Sequence, residues 1–262
     1  MQKLDRLGIS IVRPAATLAV ILCVWWAVTT FGLVSPLFLP SLGHVGQAFS
    51  TLLAESGTYW DVFATTYRAM LGLFLSVVVA VPLGLVFGRK PRLYEYFELP
   101  TDFFRSIPSS ALFFLFILLF GIGDTSKVAV VFYGCSLILL VNAVYGARPN
   151  REKLDRINML RSFGATNWQI FHLAVLPDAL PHIAAGIRVC ASLSLVLVIV
   201  TEMFLGASSG LGKVIYDAYL AYRIPQMYAV IILLGFLGFA FNRLCLLLER
   251  QATFWQPNHT SK

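Results

Sequence analysis

Residues 65–88 read TTYRAMLGLFLSVVVAVPLGLVFG, and this run holds one charged side chain, Arg68, near its start. About 20 mostly apolar residues in a helix cross the hydrocarbon core of a bilayer, and a helix satisfies its own backbone polar groups there. A buried helix of a soluble domain is shorter, or alternates apolar and polar faces. The run therefore predicts a membrane-spanning helix and an all-α membrane bundle.

Working outward, six apolar segments predict six spans: Ala15–Val34, Thr65–Gly88, Ser109–Ile122, Lys127–Tyr145, Ala184–Leu205 and Tyr228–Leu248. The third is short, and only Gly121, Gly123 and Asp124 mark the turn that follows it, so spans three and four form a tight hairpin. Composition agrees. The 262 residues are 58% hydrophobic and 13% charged, about half the charge of a soluble domain. No repeat or linker is visible, which predicts a single membrane domain over residues 1–262. Lys3, Arg6 and Arg13 precede the first apolar run, but that run is too long for a signal-peptide core and reads as an uncleaved span.

The net charge of +7 points to membrane topology and away from nucleic acid. Most of the 20 Lys and Arg fall in alternate loops: Arg89, Lys90, Arg92 and Arg105, then Arg148, Arg151, Lys153, Arg156 and Arg161, then Arg243 and Arg250, together with the N-terminal three. The other side holds Lys127, Lys213 and Arg223. Basic loops resist translocation, so both termini are expected in the cytoplasm. Ser41–Ala64 and Leu211–Arg223 mix aromatics with charges and read as interfacial helices on the outer side. Cys23, Cys135, Cys190 and Cys245 sit in apolar runs without a CxxC, and the four histidines lack metal spacing.

The longest basic loop, Arg148–His182, carries Ile157, Leu160, Gly164, Trp168, Phe171 and Val175 at spacings of three and four. Such spacing places them on one helical face. An exposed aromatic face packs against something, either the protein's own bundle or a soluble partner. Periodicity does not choose between the two.

The run Ser162–Val189, SFGATNWQIFHLAVLPDALPHIAAGIRV, resembles the "EAA" loop of the permeases of ATP-binding-cassette importers, with its Gly164-Ala165 and Leu176-Pro177 pairs. Where that family places Glu-Ala-Ala, this chain has Asn158-Met159-Leu160. VSPLFLPS (34–41), VPLGLVFGR (81–89), FRSIPSSAL (104–112), FGIGDTSK (120–127) and EMFLGASSGLGKVI (202–215) extend the resemblance to the nitrate/sulfonate/taurine branch. It implies a multi-pass protein of the bacterial inner membrane that translocates a small solute such as a sulfonate, taurine or a nitrate-like anion. A pyrimidine-like vitamin precursor is the alternative cargo. It implies a second permease copy in a homodimer, two ATPase subunits that bind ATP and Mg, and an extracytoplasmic substrate-binding protein. This chain is then no enzyme and holds no cofactor. The loop becomes a cytoplasmic coupling helix seated on the ATPase, with Arg161, Gly164, Ala165, Trp168 and Phe171 at the interface. Glycine there permits close backbone approach, and Pro177 ends the helix.

GASSGLGK (206–213) mimics a phosphate loop, but Ala207 stands where the first glycine is required and Val214 follows the lysine. Glu202 near the outer end of the fifth span has two readings, a gate or structural network at the mouth, or a solvated interfacial carboxylate. Its cationic partner would be Arg68 or, from another span or protomer, Arg188. Tyr133, Ser136 and Asn142 on the fourth span, with Ser192 on the fifth, are candidates for a polar pathway. Helix–helix hydrogen bonds are the plainer reading. The glycines of Gly84-Leu-Val-Phe-Gly88 suit close helix packing. A membrane enzyme would need paired catalytic groups within spans, and none is present. A channel or secondary transporter leaves the long basic loop unexplained.

Overall fold

The apolar runs do fold as helices. In a computed structural model, residues 2–204 and 207–253 are described. In order, the helices are α1 (Gln2–Thr30), α2 (Leu42–Ala54), α3 (Ser56–Arg89), α4 (Pro91–Arg105), a 3₁₀ turn (Ser109–Leu112), α5 (Phe113–Phe120), α6 (Asp124–Ala147), α7 (Arg151–Ser162), α8 (Asn167–Ile170), a π segment (Phe171–Val175), α9 (Leu176–Met203), α10 (Leu211–Leu220) and α11 (Ile224–Ala252). No strand occurs among the described residues.

Among the described residues, four helices are long and apolar enough to cross a membrane, or up to five if a bent pair is one span. Six were expected. The four are α3, α6, the continuous helical run Asn167–Met203, and Ile224–Gln251 of α11. The third expected span is broken: α4 and Ser109–Phe120 meet at 81°, where Pro108 lacks a donor and holds Ile107 out of helical geometry. The first expected span lies in α1, whose apolar part, Ala15–Thr30, is shorter than a full crossing. That helix stops short of Val34, closed by a bond from Leu33 N to Val28 O (3.2 Å). Ser41–Ala64 is not one interfacial helix. It divides at Glu55 into α2, capped by the Ser41 hydroxyl, and the opening turns of α3.

The described chain separates into two compact units. One draws on Met1–Tyr59 and Val214–Leu233. In it the Trp25 indole donates to Pro40 O (3.0 Å), the Tyr228 hydroxyl donates to Phe38 O (3.0 Å), and the two rings lie 5.6 Å apart.

The other unit, drawn from Trp60–Lys213 and Leu234–Lys262, holds the core. Val130, Val131, Cys135 and Leu139 of α6 meet Cys190, Ala191, Leu195 and Val198 of α9, with Ala69, Leu73 and Ala80 of α3 beside them. Small residues set these separations. A Cβ on Gly84 would meet Ala143 Cβ at 2.5 Å and Leu140 O at 2.6 Å, and one on Gly88 would meet Val144 O at 2.6 Å. The GxxxG of α3 is thus seated directly on the backbone of α6, where helices approach only without side chains. On the opposite face of α6, Gly146 abuts Ala179, and Gly186 of α9 abuts Asn142. A second cluster, Leu85, Ala143, Ala147, Ile170, Val175, Ala179 and Ile183, continues the core towards α7, with Ile157 and Leu160 packed against it.

Candidate functional site

The sequence-derived candidates fall at three heights along α6 and α9. At the basic end, α7 and the helical run from Asn167 form a hairpin. The Asn150 side chain caps α7 by accepting from Lys153 N. Gly164 closes α7 with φ +79°. Its N–H donates to Arg161 O (2.9 Å) and Ala165 N donates to Leu160 O (3.0 Å), the paired bonds of a Schellman cap. Thr166 then starts the next helix with a reciprocal capping box to Gln169. The Ile157–Val175 stripe is therefore not one helical face: Gly164 interrupts it. Nor does Gly164 serve close approach, since a Cβ there would meet nothing within 4 Å. The position needs glycine for its left-handed backbone. Gly164→Ala is expected to cost about 1–2 kcal/mol, read as a lower thermal midpoint with the fold retained.

The seven residues expected to couple the loop to an ATPase divide. Arg161, Gly164 and Trp168 are exposed. Ala165, Phe171 and Leu176 instead pack on the chain's own second cluster. Pro177 does not end the helix. It lies in the opening turn of α9, and the π segment before it absorbs the change of register. Trp168 is 69% exposed and rests on Phe171 (5.9 Å) and His172 (4.3 Å). Phe163, which periodicity did not single out, is the most prominent side chain of the tip at 80% exposed. Its position in the turn before a helix-closing glycine was the available signal. Asn158, in the place of the acidic residue, is exposed. Two polar ties fix α7 to the bundle. Arg156 Nη1 donates to Asp178 Oδ1 of α9 (2.6 Å), and Lys153 Nζ donates to Gly146 O of α6 (2.7 Å).

Midway, the pathway candidates mostly serve local backbone. Ser136 Oγ donates to Tyr133 O (3.1 Å) and Asn142 Nδ2 to Ile138 O (2.9 Å), both within α6. The Tyr133 hydroxyl donates to Phe104 O (2.6 Å), and Ser192 is exposed. None of them contacts Glu202. Ser192 lies roughly 15 Å from it along α9.

At the far end of α9 is a buried charged cluster. Glu202 is 1% exposed and Arg68 2%, so the interfacial, solvated reading of Glu202 does not hold. Arg68 Nη1 meets Glu202 Oε1 at 2.5 Å and Ser209 O at 2.7 Å. Nη2 reaches Ser209 Oγ (3.1 Å) and Asp124 Oδ1 (2.8 Å), and Nε also reaches Asp124 Oδ1 (2.8 Å). A guanidinium has five N–H donors, and this set occupies its whole fork. Arg188 pairs instead with Glu249 of α11 (3.1 Å).

The same cluster caps α10 from outside. Gly210 N donates to Asp61 Oδ1 (2.7 Å), Leu211 N to Thr65 Oγ1 (2.9 Å), and Gly212 N to Glu202 Oε2 (3.0 Å). The first amides of a helix lack internal partners and carry partial positive charge, so acidic and hydroxyl side chains from α3 and α9 suit them. Thr65 also donates to Glu202 Oε2 (2.9 Å). A Cβ on Gly210 would collide with the Glu202 carboxylate, and one on Gly212 with Ile199 O. Glycine is required at 210 and 212, where the chain packs on Glu202 and Ile199, and this packing, not phosphate, explains those two positions of the motif. Asp61, Thr65, Asp124 and Ser209 were not anticipated. Asp124, a charge at a span end, carried a signal; Asp61, Thr65 and Ser209 carried none.

Comparison with known proteins is consistent across the chain. Residues 80–253 match the model of the family described as binding-protein-dependent transport system inner membrane component. The taurine transport system permease protein TauC of Escherichia coli is 30% identical over 91% of this chain and 88% of its own length. A putative aliphatic sulfonates transport permease protein of Bacillus subtilis is 28% identical over 92% and 86%. The nitrate import permease protein NrtB of Synechocystis is 25% identical over 91% and 88%. Among solved structures, a chain of an inward-facing MetNI methionine ABC transporter superposes with a TM-score of 0.66 at 22% identity, covering 76% of this chain and 99% of that one. That likeness speaks to the fold alone.

Proposed function

We propose that this chain, which belongs to the family of binding-protein-dependent transport system inner membrane components, is the permease of an ATP-driven importer for a small sulfonate or nitrate-like anion. End-to-end similarity to permeases named for taurine, sulfonates and nitrate supports the cargo class. A separate pair of ATPase subunits binds ATP and Mg, a second permease copy completes the pathway, and an extracytoplasmic binding protein delivers the solute. The basic end of the bundle faces the cytoplasm of a bacterium, with both termini there. The whole chain acts as one membrane domain, a reading supported by the absence of any repeat or linker in the sequence.

The observation that carries the mechanism is the α7–α8 tip. Phe163 and Trp168 stand exposed beyond a helix otherwise rich in Arg and Lys. Exposed aromatics at the end of an Arg-bearing helix have the composition of an interface centre. We assign Arg161, Phe163, Gly164 and Trp168 to the ATPase contact, with Ala165, Phe171, Leu176 and Pro177 holding the tip to the bundle. ATP-driven closure of the ATPase pair moves this tip, and alternating access follows. Glu202 belongs to the structure of the outer mouth and does not bind the anion, being itself anionic and fully engaged. Tyr133, Ser136, Asn142 and Ser192 remain the pathway candidates.

Native mass spectrometry of the purified complex tests the reading: two permease copies with two ATPase subunits are expected, and a chain that never retains an ATPase overturns it. Trp168→Ala is expected to weaken ATPase retention by roughly thirtyfold, the effect of about 2 kcal/mol at an interface centre. The permease's own thermal midpoint should not change, because Trp168 contributes little to its core. Unchanged retention removes Trp168 from the interface.

A further inference from the structure

Helix α4 turns back from the basic end and runs along α6. At its start the Arg148 guanidinium lies 5.2 Å from the Tyr94 ring. At its end Phe104 O accepts from the Tyr133 hydroxyl (2.6 Å). Tyr133 and Arg148 are roughly 22 Å apart along α6, so α4 descends from the level where α3 and α6 end to about the middle of α6. Its sides differ. Tyr94 and Thr101 are buried. Glu95, Glu98 and Asp102, at spacings of three and four, share a second side, where Glu98 meets Arg148 (4.0 Å) and Asp102 meets Arg105 (3.3 Å). Arg92, Tyr96, Leu99 and Phe103, also at spacings of three and four, form a third side, and all four are exposed. Tyr96 is 80% and Leu99 79% exposed.

The cations at the head of that third side are free of acid. Arg89, Lys90 and Arg92 are exposed, and among the described residues none of them makes an ion pair. A hollow of about 550 Å³ is lined by Lys90, Pro91, Arg92 and Leu93. From Arg92 to Phe103 the stripe runs roughly 16 Å, one leaflet's share of a hydrocarbon core about 30 Å thick.

We propose that this side of α4 seats one anionic phospholipid, with its headgroup phosphate at Lys90 and Arg92 and an acyl chain along Tyr96, Leu99 and Phe103. The order of groups down the helix, cations first and apolar side chains after, is that of a phospholipid entering the bilayer. An arginine fork and a lysine point charge both suit a phosphate, and tyrosine suits the level between headgroup and chain. A protein covering the stripe would have to bring acid to Lys90 and Arg92 and apolar side chains to the rest. A lipid brings both in one molecule. The site needs only that the chain spans a bilayer, and is independent of the cargo and of the ATPase contact.

The test places a reporter on the stripe by Tyr96→Trp in the full chain, held in phosphatidylcholine nanodiscs. Dibrominated phosphatidylglycerol or, in parallel, dibrominated phosphatidylcholine replaces a rising fraction of the lipid. Bromine quenches an indole only at contact, and the signal of the chain without Tyr96→Trp is subtracted. Each lysine or arginine near an anionic surface contributes roughly fivefold in affinity. Half-quenching is therefore expected at a phosphatidylglycerol fraction at least about tenfold below that for phosphatidylcholine. Lys90→Gln with Arg92→Gln should bring the two lipids to within about twofold. Salt at about 1 M should shrink the ratio several-fold by screening, which a merely structural role for the two cations would not predict. Arg105→Gln, at the other end of α4, should leave the ratio unchanged. Equal quenching by the two lipids in the reporter chain overturns the site, because the stripe then meets lipid without choosing a headgroup. Quenching by neither overturns it too, because protein, a second copy or another subunit, then covers the stripe. A preference that survives Lys90→Gln with Arg92→Gln overturns the assignment of the headgroup. If Tyr96→Trp does not fold, Leu99→Trp carries the reporter on the same side.

Discussion

Arg68→Ala destabilises the bundle by about 3–5 kcal/mol, the range for leaving a buried ionic partner uncompensated. Glu202, 0% exposed at its side chain, would keep only Thr65 and the Gly212 amide as donors. Ser209 would lose both of its links to α3. The magnitudes rank the cluster's other members. Asp124→Asn should cost less than about 1 kcal/mol, because its carboxylate is 56% exposed and a pair open to water contributes little. Glu202→Gln lies between the two, since Arg68 retains Asp124 and the amide oxygen still accepts from Gly212 N. Arg68→Lys does not rescue: an ammonium has three donors and no fork, against five contacts. Unfolding in mixed micelles, followed by near-UV circular dichroism, measures the series. An Arg68→Ala protein within about 1 kcal/mol of the parent would show that the cluster does not hold these helices together.

The second large effect is at the α3–α6 seam. Gly84→Leu is expected to prevent α3 from seating on α6. Even a methyl group at Gly84 overlaps a backbone carbonyl, Leu140 O at 2.6 Å, which cannot rotate away as a side-chain tip can. Overpacking by a methylene or two costs about 1–3 kcal/mol, and leucine adds more volume than that. The neighbouring close approaches at Gly72 and Gly88 would open as well. Gly46→Ala in α2 is the contrast. A Cβ there meets nothing within 4 Å, and alanine is the better helix former by up to about 1 kcal/mol, so that variant should be neutral or more stable. Monodispersity and thermal midpoint of the two proteins check the difference in sign. Equal behaviour would mean that α3 does not rest on α6 through its glycines.

Both predictions concern features that the sequence announced only in part. The GxxxG of α3 was visible as a pattern, because small residues four apart share one helical face. Which helix it faced was not visible. Glu202 and Arg68 stood out separately as charges in apolar runs, each requiring a partner. Their pairing spans 134 positions, and nothing local encodes such a distance. Asp61, Thr65 and Ser209 are ordinary residues in sequence. Asp61 and Thr65 acquire a role only by meeting the amides at the start of α10, and Ser209 by accepting from Arg68.

Where the sequence reading failed, the causes were also local against non-local. The stripe from Ile157 to Val175 kept its spacing through Gly164, so periodicity ran across a helix end that a Schellman cap imposes. Proline lacks a donor and predicts a stop at Pro177, yet a preceding π segment accommodates it within the continuing helix. The break at Pro108 turned an expected span into a bent pair.

By itself the sequence determined that this is a helical membrane protein, which end of it is basic, and to which family it belongs. Burial in lipid depends on summed apolar length, topology on loop charge, and both are properties of contiguous segments. Only the tertiary structure decided that Glu202 is buried and bound to Arg68, that Trp168 and Phe163 stand outward while Phe171 turns in, and that α9 ties three other helices by charge. Those outcomes depend on which helix faces which, and packing of distant segments against one another sets that choice.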